Sequence, residues 1–401
     1  MPMTTPSLRD DLPSVAGLRR GTCSCGPGGM PGPRTGSTAA ARRGVTLIEL
    51  MALTAVISSL LGLSLTVLSA SLERSRSLSC QNNLRQLGLA MLAATSAQRD
   101  SFPAAFTSED GFLPVANAPD ALAACRRTWV VDILPFIDEA QVHDAFDPNA
   151  SLLHPRHAEA RSVRIPVLLC PSDPHAMTAF DGSRSQRLSG LGRDASRCTY
   201  AANGGLGMAA TPGALDASLE PFAAGAPATP WWLRYPGTSG GNCGQRESDI
   251  TDPKSKTILL AEIRAGTLPI DPRGVWSLPL GSSGVWGHGG RLGIGGPNST
   301  HPVGDDVLNC TELVATQRST RESAGVDAPP VEPPCNPRNA PGWMQMARSM
   351  HEGGLSVCMA DGSVRWISDF IQVDPSSDGA LSVWDRLIVS KDGLVLDSAD
   401  Y

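Results

Sequence analysis

The stretch RRGVTLIEL, residues 42–50, opens a long apolar segment near the start of the chain. From Val45 to Leu72 the sequence carries one charged side chain, Glu49. At 1.5 Å per residue, a helix over this segment exceeds the roughly 20 residues needed to cross a bilayer. A carboxylate in hydrocarbon costs about 2.5 to 3.5 kcal/mol on insertion scales, so Glu49 requires a polar partner. The pattern predicts a transmembrane helix with a functional acid near its start.

The residues before this segment are basic. Residues 1–44 contain six Arg and two Asp, a formal charge of about +4 that favours a cytoplasmic location. We therefore expect a single-pass inner-membrane protein whose N-terminus is cytoplasmic and whose C-terminal domain is periplasmic or extracellular. The predicted organisation is a leader peptide over 1–44, a transmembrane and then amphipathic helix over 45–98, and an extracytoplasmic β-rich domain over 99–401.

The predicted helix continues beyond the apolar segment with an amphipathic pattern. Cys80, Leu84, Leu87 and Met91 follow one another at steps of four, three and four residues. This spacing places them on one face of a helix that we expect to end near Gln98. The stripe predicts packing against a β-sheet.

The clearest strand signal is a hairpin near the C-terminus. Residues 355–360 and 363–368 show alternating apolar positions around Asp361-Gly362, a pair typical of a type I′ turn with two positive φ angles. Further strands are predicted over 129–134, 163–169 and 257–262. The 41 Gly and 33 Pro predict many short strands and loops.

The segment Gly44 to Glu49 and its apolar continuation resemble the prepilin family, which includes type IV pilins and type II secretion pseudopilins. The resemblance implies that a membrane-embedded peptidase cuts after Gly44 and methylates the new N-terminus at Val45. It also implies that Glu49 pairs with the N-terminal amine of a neighbouring subunit during assembly. A buried carboxylate and a buried amine would neutralise each other.

A second resemblance covers the chain from Arg42 almost to Tyr401. His351 followed after nine residues by Asp361-Gly362 is similar to the motif that names the H-x9-DG prepilin-type proteins. Other matching segments, in the order of that family, are residues 80–88, 170–173, 200–204, 257–262, 297–299 and 392–395. The resemblance implies a pilin-like α+β fold, in which the long N-terminal transmembrane helix packs on an antiparallel sheet with large loop-rich insertions. It also implies export, and it brings no catalytic residues.

We expect a minor or tip subunit of a type II secretion or type IV pilus-like assembly rather than an enzyme. The alternative is a cell-surface or periplasmic binding module that is exported through the prepilin route, for example to bind extracellular polysaccharide. The expected partners are prepilin peptidase, other pilin or pseudopilin subunits and the membrane. A net charge of −6 argues against nucleic acid, whose phosphates require clustered basic side chains.

Catalytic and metal sites are weighed against structural roles for the same residues. Cys170 or Cys358 with His351 would make a nucleophile pair, but without diagnostic spacing. A metal site would draw on His288, His301 and His351 with Asp305, Asp306 or Asp361. We instead predict a structural role for His351 through bonds to the backbone or to Asp361. We expect no cofactor; the alternative, calcium, would use Asp374, Asp378 and Asp392, whose spacing fits no calcium-loop template.

The cysteines suggest disulfide bonds. Removal of residues 1–44 would leave eight of ten Cys, and an even number suits an oxidising compartment. Cys310 and Cys335 bracket a polar insertion without an obvious strand, so we expect a bridge that fixes a loop. Cys80 on the helix stripe and Cys170 after an apolar run are the second predicted pair.

Overall fold

The computed structural model describes residues 44–109, 124–184, 188–206, 236–278, 285–286, 296–300, 305, 307, 310–324, 335, 345–374, 381–393 and 396. Contacts divide the chain into two compact units, Met1–Gly62 and Leu63–Tyr401. Most of the predicted leader lies outside the described residues.

Six helices and seven strands occupy the described residues. The helices are α1 Leu47–Ala97, α2 Trp129–Ile133, α3 Ala140–Asp144, α4 Ala158–Ser162, α5 Cys310–Ala324 and α6 Val383–Ile388. The strands are β1 Phe106–Ser108, β2 Cys125–Thr128, β3 Tyr200–Asn203, β4 Ile258–Glu262, β5 Val285–Trp286, β6 Gly354–Met359 and β7 Val364–Ser368. The predicted end of the first helix near Gln98 is confirmed.

The predicted membrane crossing is wrong. Helix α1 spans 51 residues, yet within the part of the chain that the structure describes, no helix combines the length and apolar character needed to cross a membrane. Within this helix, Glu49 and hydroxyl side chains such as those of Thr54 and Ser58 lie among the apolar residues. The predicted fold class with a transmembrane helix and the predicted single-pass inner-membrane location are both corrected by this finding.

The sheet also departs from the predicted antiparallel arrangement. A five-stranded sheet has the order β5-β3-β4-β6-β7, and β1 pairs with β2 in a separate two-stranded sheet. Strand β5 runs parallel to β3, whereas the other neighbours are antiparallel. Because β4 already pairs with one edge of β3, the later strand β5 joins the other edge. The fold is therefore mixed α/β.

The predicted helix stripe packs against this sheet. Cys80, Leu84, Leu87 and Met91 are all fully buried and share a core cluster with residues of β3, β4 and β6. At Gly88 the helix comes so close to β6 that an added Cβ would lie 2.3 Å from Sγ of Cys358. Glycine at this position permits the close approach, and the predicted helix-on-sheet packing is confirmed.

The opposite face of the sheet packs against the C-terminal helix α6. Leu355 and Val357 of β6 cluster with Trp384 and Leu387 of α6. The helix begins with a capping box in which Ser382 and Asp385 exchange hydrogen bonds with each other's backbone N–H groups. Strand β6 is therefore buried on both faces.

The predicted hairpin is confirmed as β6 and β7, which pair from Gly354–Ser368 to Cys358–Val364. Its turn differs from the predicted type I′. Gly362 has a φ of +82°, whereas Asp361 is not among the residues with positive φ. The Gly362 N–H donates to the carbonyl of Met359 at 2.9 Å, which fits a type I turn followed by a left-handed glycine.

Two other predicted strands are wrong, and the helices after α1 were not predicted. Residues 129–133 form α2 because the Thr128 hydroxyl caps its first turn by accepting from the N–H of Val131. Residues 166–168 form a 3₁₀ turn, which suits Pro166 because proline supplies no ladder N–H.

Helix α5 occupies the insertion expected to be a loop. The strand predicted over 257–262 is confirmed as β4.

Candidate functional site around His351

The imidazole of His351 lies between two carboxylates that come from distant parts of the chain. Its Nδ1 lies 2.8 Å from Oε1 of Glu73 on α1. Its Nε2 lies 3.4 Å from Oε1 of Glu262, the last residue of β4. His351 itself stands just before β6 and is buried. Helix α1 and the two central strands of the sheet therefore converge on this side chain.

Two sulfur atoms complete the site. Cys80 and Cys170 form a disulfide with Cα atoms 5.2 Å apart, and Sγ of Cys170 lies 3.6 Å from Nε2 of His351. The cysteine, histidine and Glu262 side chains are buried, and their ligand-type atoms all lie within 4.8 Å of one another. Among the described residues, this is the group of side chains whose donor atoms could hold a metal ion.

Both carboxylates are held by further hydrogen bonds. Oε2 of Glu262 accepts the backbone N–H of Ser356 at 2.7 Å. Glu73 accepts the hydroxyl of Ser172 at 2.8 Å. The other oxygen of Glu262, Oε1, is buried and makes no hydrogen bond within the described part of the chain beyond its 3.4 Å ion-pair contact with Nε2 of His351. The site thus contains one fixed acid on each side of the imidazole.

The electrostatics favour the charged form of the His351 imidazole. Burial alone would lower the pKa of His351, but the hydrogen bonds and charges of Glu262 and Glu73 outweigh it, so this pKa is raised. Burial alone would raise the pKa of Glu73, but hydrogen bonds from Ser172 and His351 outweigh it and the pKa is lowered. Such an arrangement can bind a cation. It can also hold together α1, β4 and the segment that carries His351.

A buried ion pair and an asparagine position the segment that carries His351. Arg348 bonds with both carboxylate oxygens of Asp305 at 2.6 and 2.7 Å, and its backbone N–H donates to the carbonyl of Glu262 at 2.9 Å. The amide of Asn298 accepts from the N–H of Ser349 at 2.7 Å and donates to the carbonyl of Gly354 at 3.1 Å. Residues 348–354 are therefore fixed beside β4 and β6.

Of the two alternatives expected for His351, the bond to Asp361 is wrong, since the ring nitrogens lie near Glu73 and Glu262. Asp361 Oδ1 instead accepts from the backbone N–H and the hydroxyl of Ser363 within the hairpin turn. Sequence reasoning missed Glu73 and Glu262 as the partners of His351. A signal was present, since Glu262 is the one acid in the buried strand Ile258–Glu262 and Glu73 is the first charge after the apolar run.

The cysteine candidates for a nucleophile do not fit that role. Cys170 is bonded to Cys80. Burial, and then the charge of Asp361, raise the pKa of the Cys358 thiol to about 12, so little thiolate exists at neutral pH. The thiol of Cys198 is likewise buried, and burial raises its pKa to about 12.

Other predicted ligands do not gather with His351. His288, His301, Asp306 and Asp378 lie outside the described residues. Asp305 pairs with Arg273 and Arg348, and Asp392 lies 3.3 Å from Arg386. The expectation of no cofactor stays a prediction, with calcium as its alternative.

The predicted pair of Cys310 and Cys335 is also joined. Cys310, the first residue of α5, forms a disulfide with Cys335, and their Cα atoms lie 5.9 Å apart. Both cysteines are buried in a small cluster with Ile270, Val307 and Leu313. The bridge therefore ties the start of α5 to a local apolar core.

The prepilin-type residues surround the start of α1. Gly44 and Val45 are exposed and precede the helix. Oε2 of Glu49 accepts the N–H of Thr46 at 2.8 Å, while the hydroxyl of Thr46 accepts the N–H of Glu49 at 3.3 Å. This reciprocal pair is a capping box. The backbone bond from Thr46, followed by its side-chain bond, lowers the pKa of Glu49.

These observations define a mixed α/β protein in which a long helix and a central sheet enclose a histidine, two acids and a disulfide. Residues 71–374 match the family described as "Protein of unknown function (DUF1559)", and the chain belongs to that family. No curated protein and no solved structure matches the chain.

Proposed function

We propose that this protein is a pilin-like subunit, processed between Gly44 and Val45, that acts as a minor or tip component of a type II secretion or type IV pilus-like assembly. The observation that carries the proposal is the capped, ionised Glu49 in the first turn of an exposed apolar helix. Membership in DUF1559, a family typically found with prepilin-like and H-x9-DG proteins, supports it. We also propose that the chain has no catalytic activity of its own.

The processing step is supported by the accessibility of the cleavage point. Gly44 is exposed and non-helical, and an added Cβ there would meet no atom within 4 Å. A peptidase can therefore approach the bond between Gly44 and Val45 before the helix begins at Leu47. The proposed first partner is a prepilin peptidase.

The apolar side chains in the first turns of α1 are exposed, and contact with a partner would bury them. Leu47, Ile48, Leu53 and Ile57 are between 46% and 79% exposed. Large contiguous apolar surfaces of this kind usually mark interaction sites. The proposed occupant is the corresponding helix of another pilin-like subunit, because helices with matching apolar residues pack ridges into grooves.

Glu49 gives that contact its register. Its lowered pKa keeps the side chain ionised at neutral pH. Cleavage after Gly44 would create an amine at Val45, and an ionised carboxylate on a neighbouring helix is its complementary partner. Removing the charge would leave the amine unpaired within an apolar contact.

The test separates the charge of Glu49 from its capping role. Glu49→Gln keeps the capping-box acceptor but removes the charge, so we expect processing to continue and co-purification with pilin-like subunits to be lost. Glu159→Gln, a change at an exposed acid on α4, serves as the matched control and should retain co-purification. If Glu49→Gln and Glu49→Ala both assemble like the unmodified chain, the proposal is wrong, and retained polysaccharide binding would favour an exported binding module instead.

A further inference from the structure

His351 and three other buried side chains meet at one place, and each of the four carries an atom of a type that binds zinc. They belong to Cys80, Cys170, His351 and Glu262, and the four ligand-type atoms all lie within 4.8 Å of one another. For His351 the atom is Nε2, which lies near Sγ of Cys170, and for Glu262 it is Oε1, which lies near that Nε2. Thiolate, imidazole and carboxylate are the ligands that Zn²⁺ takes in proteins. We propose that the chain binds one Zn²⁺ through these four atoms when Cys80 and Cys170 are reduced.

Two distances already match a tetrahedral zinc site. With bonds of about 2.3 Å to sulfur and about 2.1 Å to nitrogen and oxygen, a tetrahedral site separates sulfur from nitrogen by about 3.6 Å and nitrogen from oxygen by about 3.4 Å. Sγ of Cys170 lies 3.6 Å from Nε2 of His351, and Nε2 lies 3.4 Å from Oε1 of Glu262. The remaining change is separation of the two sulfur atoms to about 3.8 Å after reduction.

The surrounding bonds orient the two non-sulfur ligands. Glu73 bonds to Nδ1 of His351 at 2.8 Å, which leaves Nε2 as the nitrogen that faces the sulfurs. Metal-binding histidines commonly bond a carboxylate through their second nitrogen in this way. The Ser356 N–H holds Oε2 of Glu262, which leaves Oε1 directed at the same point.

The surroundings of Oε1 of Glu262 also fit a cation. Glu262 is 1% exposed, and its Oε1 has no hydrogen-bond partner within the residues that the structure describes. Its contact with Nε2 of His351, at 3.4 Å, is longer than an ordinary hydrogen bond, and a buried acceptor without a close donor is costly. A zinc ion bonded to Oε1 would satisfy it.

Zinc and the disulfide are alternative states of the same two sulfur atoms. Opening the disulfide takes two electrons and two protons, and a phosphine supplies the electrons while water supplies the oxygen that converts it to the phosphine oxide. Zinc binding then displaces the two thiol protons to solvent and involves no electron transfer. The reduced chain is therefore the zinc-binding form and the oxidised chain is not.

The test is a zinc titration of the full chain against a chromophoric chelator, without oxygen, before and after phosphine reduction. We expect one Zn²⁺ per reduced chain and none per oxidised chain. Co²⁺ in place of Zn²⁺ should give the visible bands of tetrahedral cobalt and a thiolate charge-transfer band. Glu262→Gln removes a ligand and should weaken binding strongly. Glu73→Gln removes a positioning bond and should weaken it about 10- to 100-fold.

Cys310→Ser combined with Cys335→Ser is the matched control, since it removes the other disulfide and should leave zinc affinity unchanged. Circular dichroism of each reduced chain establishes that it is folded. Glu73 is partly exposed on a helix, so its variant keeps the test decisive if a ligand variant unfolds. The proposal is overturned if the folded, reduced chain binds no zinc. It is also overturned if Glu262→Gln and Glu73→Gln bind zinc as tightly as the unmodified chain.

Discussion

At the scale of single residues, His157 shows how hydrogen bonds select one protonation state. Its Nε2 accepts the backbone N–H of Asp147 at 3.0 Å, and its Nδ1 lies 3.0 Å from the carbonyl of Ser151. Nδ1 must therefore carry the proton and Nε2 must not, which is the neutral form. Burial, only partly opposed by the bond to Ser151, lowers the pKa of His157.

We predict that His157 makes stability depend on pH in a defined direction. Its pKa in the unfolded chain is near 6.5 and is lower in the folded chain, so the unfolded chain binds more protons below that pH. The contribution is fully present above pH of about 6.5 and is lost as pH falls, by up to about 1.4 kcal/mol per pH unit. Urea unfolding from pH 7 to 5 measures it.

The comparison uses His157→Gln, which cannot be protonated in this range. The difference in unfolding free energy between the unmodified chain and His157→Gln should shrink as the pH falls. His143→Gln alters a partly exposed histidine and should leave that pH dependence in place. A difference that stays constant from pH 7 to 5 would contradict the assigned protonation state.

At the scale of elements, the contact between α1 and β6 depends on a glycine. We predict that Gly88→Ala lowers the free energy of unfolding by about 1 to 3 kcal/mol, because its Cβ would overlap with Sγ of Cys358. Gly62→Ala is the matched control in the same helix. Its Cβ would meet no atom within 4 Å, and alanine favours a helix over glycine by up to about 1 kcal/mol.

A double-mutant cycle tests the cause of that loss. Cys358→Ala removes the overlapping sulfur, so Gly88→Ala should cost much less in its presence. Chemical denaturation of the four chains gives the coupling energy. Additive effects of the two substitutions would show that α1 does not press on Cys358 at this point.

Elements with a local pattern were predictable from the sequence, and elements fixed by distant contacts were not. The α1 stripe and the β6–β7 hairpin repeat apolar residues at helix and strand periods, so their burial could be predicted. Residues 129–133 are mostly apolar, and a run of this length suits either a strand or a helix. The hydrogen bond from the Thr128 cap favours the helix α2. Helix α5 was missed because its sequence is mostly polar.

The candidate site could be predicted in part. The H-x9-DG pattern identified His351, and the positions of Cys80 and Cys170 suggested their pairing. The acids were missed because Glu73 and His351 are 278 positions apart in the sequence, and no local pattern reports such a contact. Sequence spacing also suggested Asp361 as the partner of His351, but the turn uses that carboxylate for Ser363.

At the scale of the whole molecule, a buried ion network joins segments that are distant in sequence. Asp305 is fully buried and bonds with Arg273 and Arg348, and Arg273 also bonds with Asp271. Arg348 is the first residue of the segment 348–354, which carries His351. The loops around the sheet are therefore connected through one carboxylate.

We predict that Asp305→Asn lowers the free energy of unfolding by about 3 to 5 kcal/mol, because it leaves buried Arg348 without its anionic partner. Glu247→Gln breaks a partly exposed pair with Lys254 and should cost less than about 1 kcal/mol. Urea denaturation of both variants compares them. Equal, small losses would indicate that the buried network does not hold the loops in place.

The central claim is that this DUF1559 protein is processed and assembled as a pilin-like subunit. Intact mass and N-terminal sequencing of the protein from cells with an active prepilin peptidase test it most directly. The account predicts a chain that begins at N-methylated Val45, and a chain that keeps residues 1–44 when the peptidase is absent. A chain that keeps residues 1–44 in the presence of the peptidase, or one cut at another bond, would contradict it.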